Sequence, residues 1–449
     1  MADESRIILK ALVNKGNNRI LFIKSGCDFV KTLFSFLSIP IGTIIRLAHN
    51  HSVPVGIGCM NNLYASVESS DVQHFRTEAC RDMLLCPRSR AGATLKNLKH
   101  NVEDHETTRY FRCPNESCQS SSTKLISYYS SVRCRCGHLM DKEINLSVKV
   151  GDKVFVKGLS TLIITDDLQV MAQGTPAISV FVEKLRSMDP NTIKEVTLNI
   201  GVIEVLNLLM CSFVSKTPLT DIFLKHTVAE VKNTGNLPIH THSYSQMPQD
   251  TMSDGATMSV QLIVSKSKKV VCYAEAGEDF VNFLFSFLIL PLGFILKQIR
   301  FGTLKGCMDH LYRSVQNLDE KFLRSQFCNE LLLSPKLPPR FCYENHPLGI
   351  GVASFRFESA EIVDPKSHSN EMVCDQGFLK GPAMFLVTDS LVVTPISPIF
   401  GLPILNELNV PITDIEVKSV NVGKEEVSLI YNCFHYYLIT FKYSACIPC

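Results

Sequence analysis

Tryptophan is absent from the 449 residues, and neither sign of charge prevails: 45 Lys and Arg face 43 Asp and Glu. That balance leaves no overall field to draw the chain to nucleic acid or an acidic membrane, so such an affinity would need a local patch. The aromatic content is carried mainly by 26 Phe, which suits core packing better than exposed stacking. Long apolar runs are missing as well. The two most apolar stretches, 29–48 and 280–299, are broken by Lys31, Pro40 and Arg46 and by Pro291, Lys297 and Gln298. A spanning helix wants about 20 mostly apolar residues, so both stretches are expected to be buried core helices and no membrane span is expected. P-loop, G-x-S-x-G, H-E-x-x-H and kinase signatures are all missing, and Gly349-Ile-Gly351 runs into Ser354 without the strand–helix setting of a dinucleotide loop. An export signal is not evident either: Met1-Ala-Asp-Glu-Ser-Arg is acidic and leads straight into a strand pattern. The expectation is a soluble chain of the cytoplasm or nucleus, whose 17 cysteines serve as reduced thiols or metal ligands and not as a disulfide framework.

What is present, above all, is a repeat. Gly26-x-Asp28-Phe29-Val30-x-x-Leu33-Phe34-Ser35-Phe36-Leu37-x-x-Pro40-x-Gly42 returns as Gly277-x-Asp279-Phe280-Val281-x-x-Leu284-Phe285-Ser286-Phe287-Leu288-x-x-Pro291-x-Gly293, with 11 identities in 17 positions at an offset of 251. Gly58-Cys59-Met60-x-x-Leu63-Tyr64-x-Ser66-Val67 returns as Gly306-Cys307-Met308-x-x-Leu311-Tyr312-x-Ser314-Val315. Phe155-x-Lys157-Gly158 with Thr165-Asp166-x-Leu168 returns as Phe378-x-Lys380-Gly381 with Thr388-Asp389-x-Leu391. Two long copies point to a pair of related domains and not to a solenoid of short stacked units. The expected division is a first repeat domain over 1–228, a polar linker over 229–257 and a second, shorter repeat domain over 258–449. Pro87 and Gly158 are 71 positions apart but Pro335 and Gly381 only 46, so the second copy is shortened where the first holds its cysteine pairs.

Each copy reads as α+β. Apolar–polar alternation predicts a hairpin over 7–13 and 19–24 around a Gly16-Asn17-Asn18 turn, with a counterpart over 260–264 and 270–275. The Phe-rich block reads as helix until Pro40 and Gly42 bend or end it. Helices are expected around 63–67 and 72–85, and strands near 153–156 and 161–164. A further helix should open at Thr175-Pro176, another should run over about 202–214, and a short one should start at Thr217-Pro218. The recurring Asp28, Asp279, Asp166 and Asp389 read as helix-capping or turn residues, since acid–base work would need a proximity that sequence does not show. Cys59, Cys80, Cys307 and Cys328 read as small buried residues. His240 and His242, in the linker, lack further ligands. The end of the second copy departs from the first: Ser215-Lys-Thr-Pro-Leu-Thr has no counterpart, and Cys446-Ile-Pro-Cys449 is a poor prenylation box.

The strongest chemistry lies at about 108–145. Cys113 and Cys118 are followed, after fifteen residues, by Cys134-Arg-Cys136-Gly137-His138. Four thiolates from two turns of a hairpin can surround zinc tetrahedrally, leaving no open position for a catalytic water, so a structural, zinc-ribbon-like site is expected. His138 is a candidate substitute for one thiol. Arg109, Arg112, Lys124, Arg133 and Arg135 make the hairpin basic, but Asp104, Glu106, Glu116, Asp141 and Glu143 oppose them. A non-enzymatic protein partner is therefore the leading expectation and nucleic-acid binding through the hairpin the alternative.

The Gly-x-Asp-Phe-Val block, Asn62-Leu63-Tyr64, Val387-Thr388-Asp389 and Ser215-Lys-Thr-Pro-Leu-Thr-Asp-Ile-Phe-Leu224 together resemble a land-plant family catalogued as domain of unknown function 674. Both copies match. The cysteine hairpin is also similar to that family's, with a wider first pair. The resemblance implies a plant origin and a duplicated architecture, and it brings no catalytic residue.

Overall fold

The computed structural model describes residues 6–53, 57–92, 109–120, 124–144, 155–156, 162–172, 176–225, 257–298, 306–319, 322, 326–343, 346–353, 360–367, 376–397, 401–423, 425–427 and 430. Alternation sets the first hairpin. In β1 (Ile7–Asn14) the apolar Ile7, Leu9, Ala11 and Val13 point inward while their neighbours face out, and β2 (Arg19–Ser25) returns beside it. The turn brings Asn18 to a φ of 50°, a conformation Asn tolerates better than most residues. Asn14 holds the turn by accepting the Gly16 N–H at 2.8 Å.

The Phe-rich block then forms α1 (Cys27–Ser35), tightens into one 3-10 turn over Phe36–Ser38, and breaks. Pro40 lacks an N–H and sits as the N-cap of α2 (Ile41–Asn50), so the helix restarts at once. There follow α3 (Cys59–Ser69) and α4 (Glu78–Leu85), then the cysteine segment with β3 (Tyr110–Arg112), α5 (Glu116–Gln119), β4 (Lys124–Ile126) and β5 (Lys142–Ile144). The first half closes with β6 (Leu162–Thr165), β7 (Val170–Ala172), α6 (Pro176–Arg186), β8 (Ile193–Ile200), α7 (Val202–Cys211) and α8 (Pro218–Phe223). The second half contains, among the described residues, β9 (Met258–Ser265), β10 (Val270–Gly277), α9 (Glu278–Ser286), α10 (Leu292–Gln298), α11 (Met308–Asn317), α12 (Gln326–Leu333), β11 (Ala360–Ile362), β12 (Met384–Val387), β13 (Val393–Pro395), α13 (Gly401–Glu407) and β14 (Ile415–Val422).

The fold is thus α+β, with two five-stranded antiparallel sheets of matching order, β7-β6-β2-β1-β8 and β13-β12-β10-β9-β14. Helices of the two halves interleave between them. Pro40 and Pro291 form an antiparallel bridge, flanked by Ile41 N–H to Leu290 O at 3.1 Å and Leu292 N–H to Ile39 O at 3.0 Å. Gly42 and Gly293, which recur in the repeat, lie where a side chain has no room. A Cβ on Gly42 would stand 2.8 Å from Leu84 O, and one on Gly293 would run into Leu332 O. The helices are exchanged: α3 packs on β13 of the far sheet and α11 on β7 of the near one. Phe34, Phe36 and Leu37 therefore share one continuous core with Phe285, Phe287 and Leu288.

Several expectations need correction or fall elsewhere. Phe155 and Val156 carry no strand, and residues 153–154 lie outside the described residues. The helix opening at Val202 ends at Cys211, three residues early, while α8 does begin with Pro218 at its first position. The edge strands β8 and β14 lie outside the expected elements; half of the residues in each are exposed, with only Leu198, Ile200 and Val422 deeply covered. Thr175, the stretch 229–256 with His240 and His242, and the tail 431–449 with Cys446 and Cys449 lie outside the described residues. No helix among the described residues is long and apolar enough to cross a membrane; the Phe-rich stretches are short core helices.

Candidate metal centre

The cysteine segment is built from very short elements whose backbone bonds bring the two cysteine pairs together. β3 pairs with β5 and delivers Cys113 at its end. Asn115 caps α5 by accepting the Ser117 N–H at 3.0 Å, and this single turn carries Cys118. The chain returns through β4, where Ser127 and Phe111 exchange backbone hydrogen bonds of 2.8 and 2.9 Å. The second pair sits on a tight knuckle: Gly137 N–H donates to Cys134 O and Cys134 N–H to His138 O, both at 2.8 Å. Gly137 takes a φ of 86°, the left-handed region that glycine enters freely.

These turns converge four thiols. The sulfurs of Cys113, Cys118, Cys134 and Cys136 all lie within 4.8 Å of one another, with Cys113 to Cys136 at 3.4 Å and Cys134 to Cys118 at 3.8 Å. A tetrahedral thiolate site with bonds of about 2.3 Å has sulfurs about 3.8 Å apart, so the cluster already has the right dimensions for a metal ion. Cys113 and Cys134 face the core, Cys118 is half-buried and Cys136 is exposed. His138 stands outside the four, its Nδ1 at 3.5 Å from Cys136 Sγ; the thiol set is complete without it.

The clustered thiols perturb one another. Burial pushes Cys113 up to about 11, and the hydrogen bond with Cys136, followed by burial, pushes Cys118 up to about 12. Cys136 is lowered to about 6, chiefly by the backbone N–H of His138. Cysteine binds a metal ion as the thiolate, so a cation held by this cluster would displace protons from it.

An aromatic cradle that the sequence did not disclose supports the hairpin. Arg88, only 4% exposed, lies 4.8 to 5.7 Å from the ring centroids of Tyr110, Tyr128 and Tyr129. It donates to Tyr128 O at 2.6 Å and to Arg109 O. The cation of this cradle comes from beyond the hairpin, next to Pro87 in the sequence. Tyr129 Oη donates to Cys86 O at 2.9 Å and Ser131 Oγ to Asp82 at 2.5 Å, tying the hairpin to the end of α4.

The other candidates resolve into structure. Asp166 accepts the Thr220 N–H at 2.9 Å and the Thr220 hydroxyl at 2.7 Å, with Arg19 at 3.5 Å; the Thr-Pro-Leu-Thr motif is thus anchored to the turn after β6. Asp279 accepts the Phe280 N–H at 2.8 Å, at the start of α9. Burial pushes Cys80 up to about 11 and raises Cys307 well above the usual thiol range, so neither is an activated nucleophile. Leu348 to Ala353, around the Gly349-Ile-Gly351 run, form no helix.

No curated protein and no solved structure matches the chain. The family model that does match, described as "Protein of unknown function (DUF674)", spans residues 3–425, in keeping with the Phe-rich and Thr-Asp motifs in both halves. The chain belongs to that family.

Proposed function

We propose that this chain is a non-enzymatic interaction protein built by tandem duplication of one α+β domain, in which Cys113, Cys118, Cys134 and Cys136 hold a structural zinc ion. The carrying observation is the convergence of four sulfurs within 4.8 Å. Soft thiolates in a tetrahedral set favour zinc over harder cations, and four protein ligands leave it no vacant position for substrate or water. The matching strand orders and the recurring motifs support duplication, with repeat domains over 1–228 and 258–449 joined by the polar stretch 229–257. Thirteen described cysteines, all unbridged, suit a reducing cytoplasm or nucleus, in a land plant if the resemblance extends to source.

A second reading has its own observation: Arg133 and Arg135 are exposed on the knuckle beside Cys136, where they could meet phosphates. Asp141 and Glu143 are exposed on the same hairpin, and this opposing charge makes a protein partner the better reading.

Metal content of the purified chain, measured by mass spectrometry beside a Cys113→Ser/Cys118→Ser variant, tests the site. About one zinc per chain, the stoichiometry of a four-thiolate site, that disappears in the variant is expected; none in freshly prepared protein overturns the reading. Salt-dependent binding to RNA or DNA that vanished with Arg133→Ala/Arg135→Ala would shift the function to nucleic acid.

A further inference from the structure

We infer that the cysteine hairpin's docking partner is the C-terminal half of its own chain, and that the metal fastens this contact. The inference rests on the metal reading of the four thiols. The ligands bracket β4: Cys118 precedes Lys124 by six residues and Cys134 follows Ile126 by eight. β4 itself adds to the other half, pairing in parallel with β11 from Lys124↔Ala360 to Ile126↔Ile362. Val363 N–H extends the ladder to Ile126 O at 2.9 Å. Beside it the rings of Tyr128 and Tyr129 pack on Phe341, at centroid distances of 5.7 and 6.3 Å. Ile126 and Ile362 are buried at the seam.

A parallel pair of three residues is too short to hold itself together. Both strands must be presented in register by what flanks them. A metal ion that joins Cys118 to Cys134 closes the loop centred on β4, and so removes much of the conformational freedom that the strand would lose on docking. The hairpin is already tied to the first half through Tyr129 and Ser131, which makes it a clasp between halves. The second half contributes a strand to this seam, and the cysteine pairs come from the first alone.

Hydrogen exchange of the full-length protein tests the clasp, on native, chelator-stripped and zinc-restored samples whose zinc content is measured in parallel. Peptides covering 124–129 and 360–363 are expected to exchange roughly tenfold faster after stripping and to recover with zinc, while the β1–β8 ladder keeps its protection. Zinc lost with 360–363 still protected overturns the clasp and leaves the metal site standing. No zinc in the native sample overturns both. If stripping unfolds the whole chain, Phe341→Ala carries the test with zinc retained. Protection at 124–129 and 360–363 should then fall together, and unchanged protection overturns the inference.

Discussion

His310 on α11 places its Nδ1 2.9 Å from the Oδ2 of Asp167, in the turn between β6 and β7. The pair joins the two halves, and it is asymmetric. At the corresponding contact in the other direction, Asn62 on α3 donates to Ser390 O at 2.9 Å, a neutral bond where the first is ionic.

That asymmetry makes one contact between the halves pH-dependent. The hydrogen bond to Asp167 raises His310, against burial and with Asp309 assisting and Lys216 opposing. Burial would raise Asp167, but the hydrogen bonds from His310, Thr165 and Gln169 hold it down to about 2. A raised histidine contributes stability below its unfolded value of about 6.5 and loses it as pH rises; a depressed carboxylate contributes above about 4 and loses it toward pH 2. The pair should therefore stabilise most between about pH 4 and 6.5, by on the order of 1 kcal/mol for partly exposed partners. A double-mutant cycle of His310→Asn and Asp167→Asn, by urea unfolding at pH 5.5 and 8.5, should show coupling that shrinks at the higher pH. Equal coupling at both would refute it.

Two serines meet the edges of the opposite sheets. Ser66 Oγ accepts the Val393 N–H at 2.9 Å and Ser314 Oγ accepts the Val170 N–H at 2.8 Å, both buried. Replacing either by alanine strands a buried edge-strand donor, and Ser66→Ala or Ser314→Ala should each lower unfolding free energy by about 1–3 kcal/mol. Loss below a few tenths would mean that the strands find another acceptor.

The close approach at the centre of the molecule predicts a contrast among glycines. Gly293→Ala would press a methyl group into the Leu332 carbonyl, and Gly42→Ala would crowd Leu84 and Leu288, whereas a Cβ at Gly26 meets nothing within 4 Å. Thermal unfolding should show losses of about 1–3 kcal/mol for the first two, the usual scale of overpacking, and a near-neutral Gly26→Ala.

Arg88 supplies a fourth test. Arg88→Met keeps much of the stem but abandons the carbonyls of Arg109 and Tyr128 and the three tyrosine rings. A loss of about 2–3 kcal/mol is expected in chemical denaturation. Arg88→Lys should recover only part of it, because an ammonium lacks the planar fork that reaches two acceptors at once.

Local chemistry was readable wherever it was periodic or punctuated. The period-two alternation of Ile7, Leu9, Ala11 and Val13 specified β1 and its buried face, and Pro40 broke the Phe-rich helix because a ring cannot donate into the ladder. The spacing of Cys113, Cys118, Cys134 and Cys136 identified the thiol cluster, since paired ligands on two turns of one hairpin need no distant part of the chain to meet. Edge strands β8 and β14 escaped, because residues such as Lys194, Glu195 and Glu416 face water and leave little hydrophobic pattern.

Only the tertiary structure decided how the halves meet. Nothing in Ser66 or Ser314 announces that its hydroxyl will serve the opposite sheet, and three-residue strands such as β4 and β11 carry no signal of their partner. Those contacts join residues 236 to 327 positions apart or 144 apart across the interleaved core, so they follow from which packing buries Phe36 and Phe287 together. Period and spacing act along the chain; the exchange of helices between sheets is a property of the assembled core, where long-range burial outweighs any local preference.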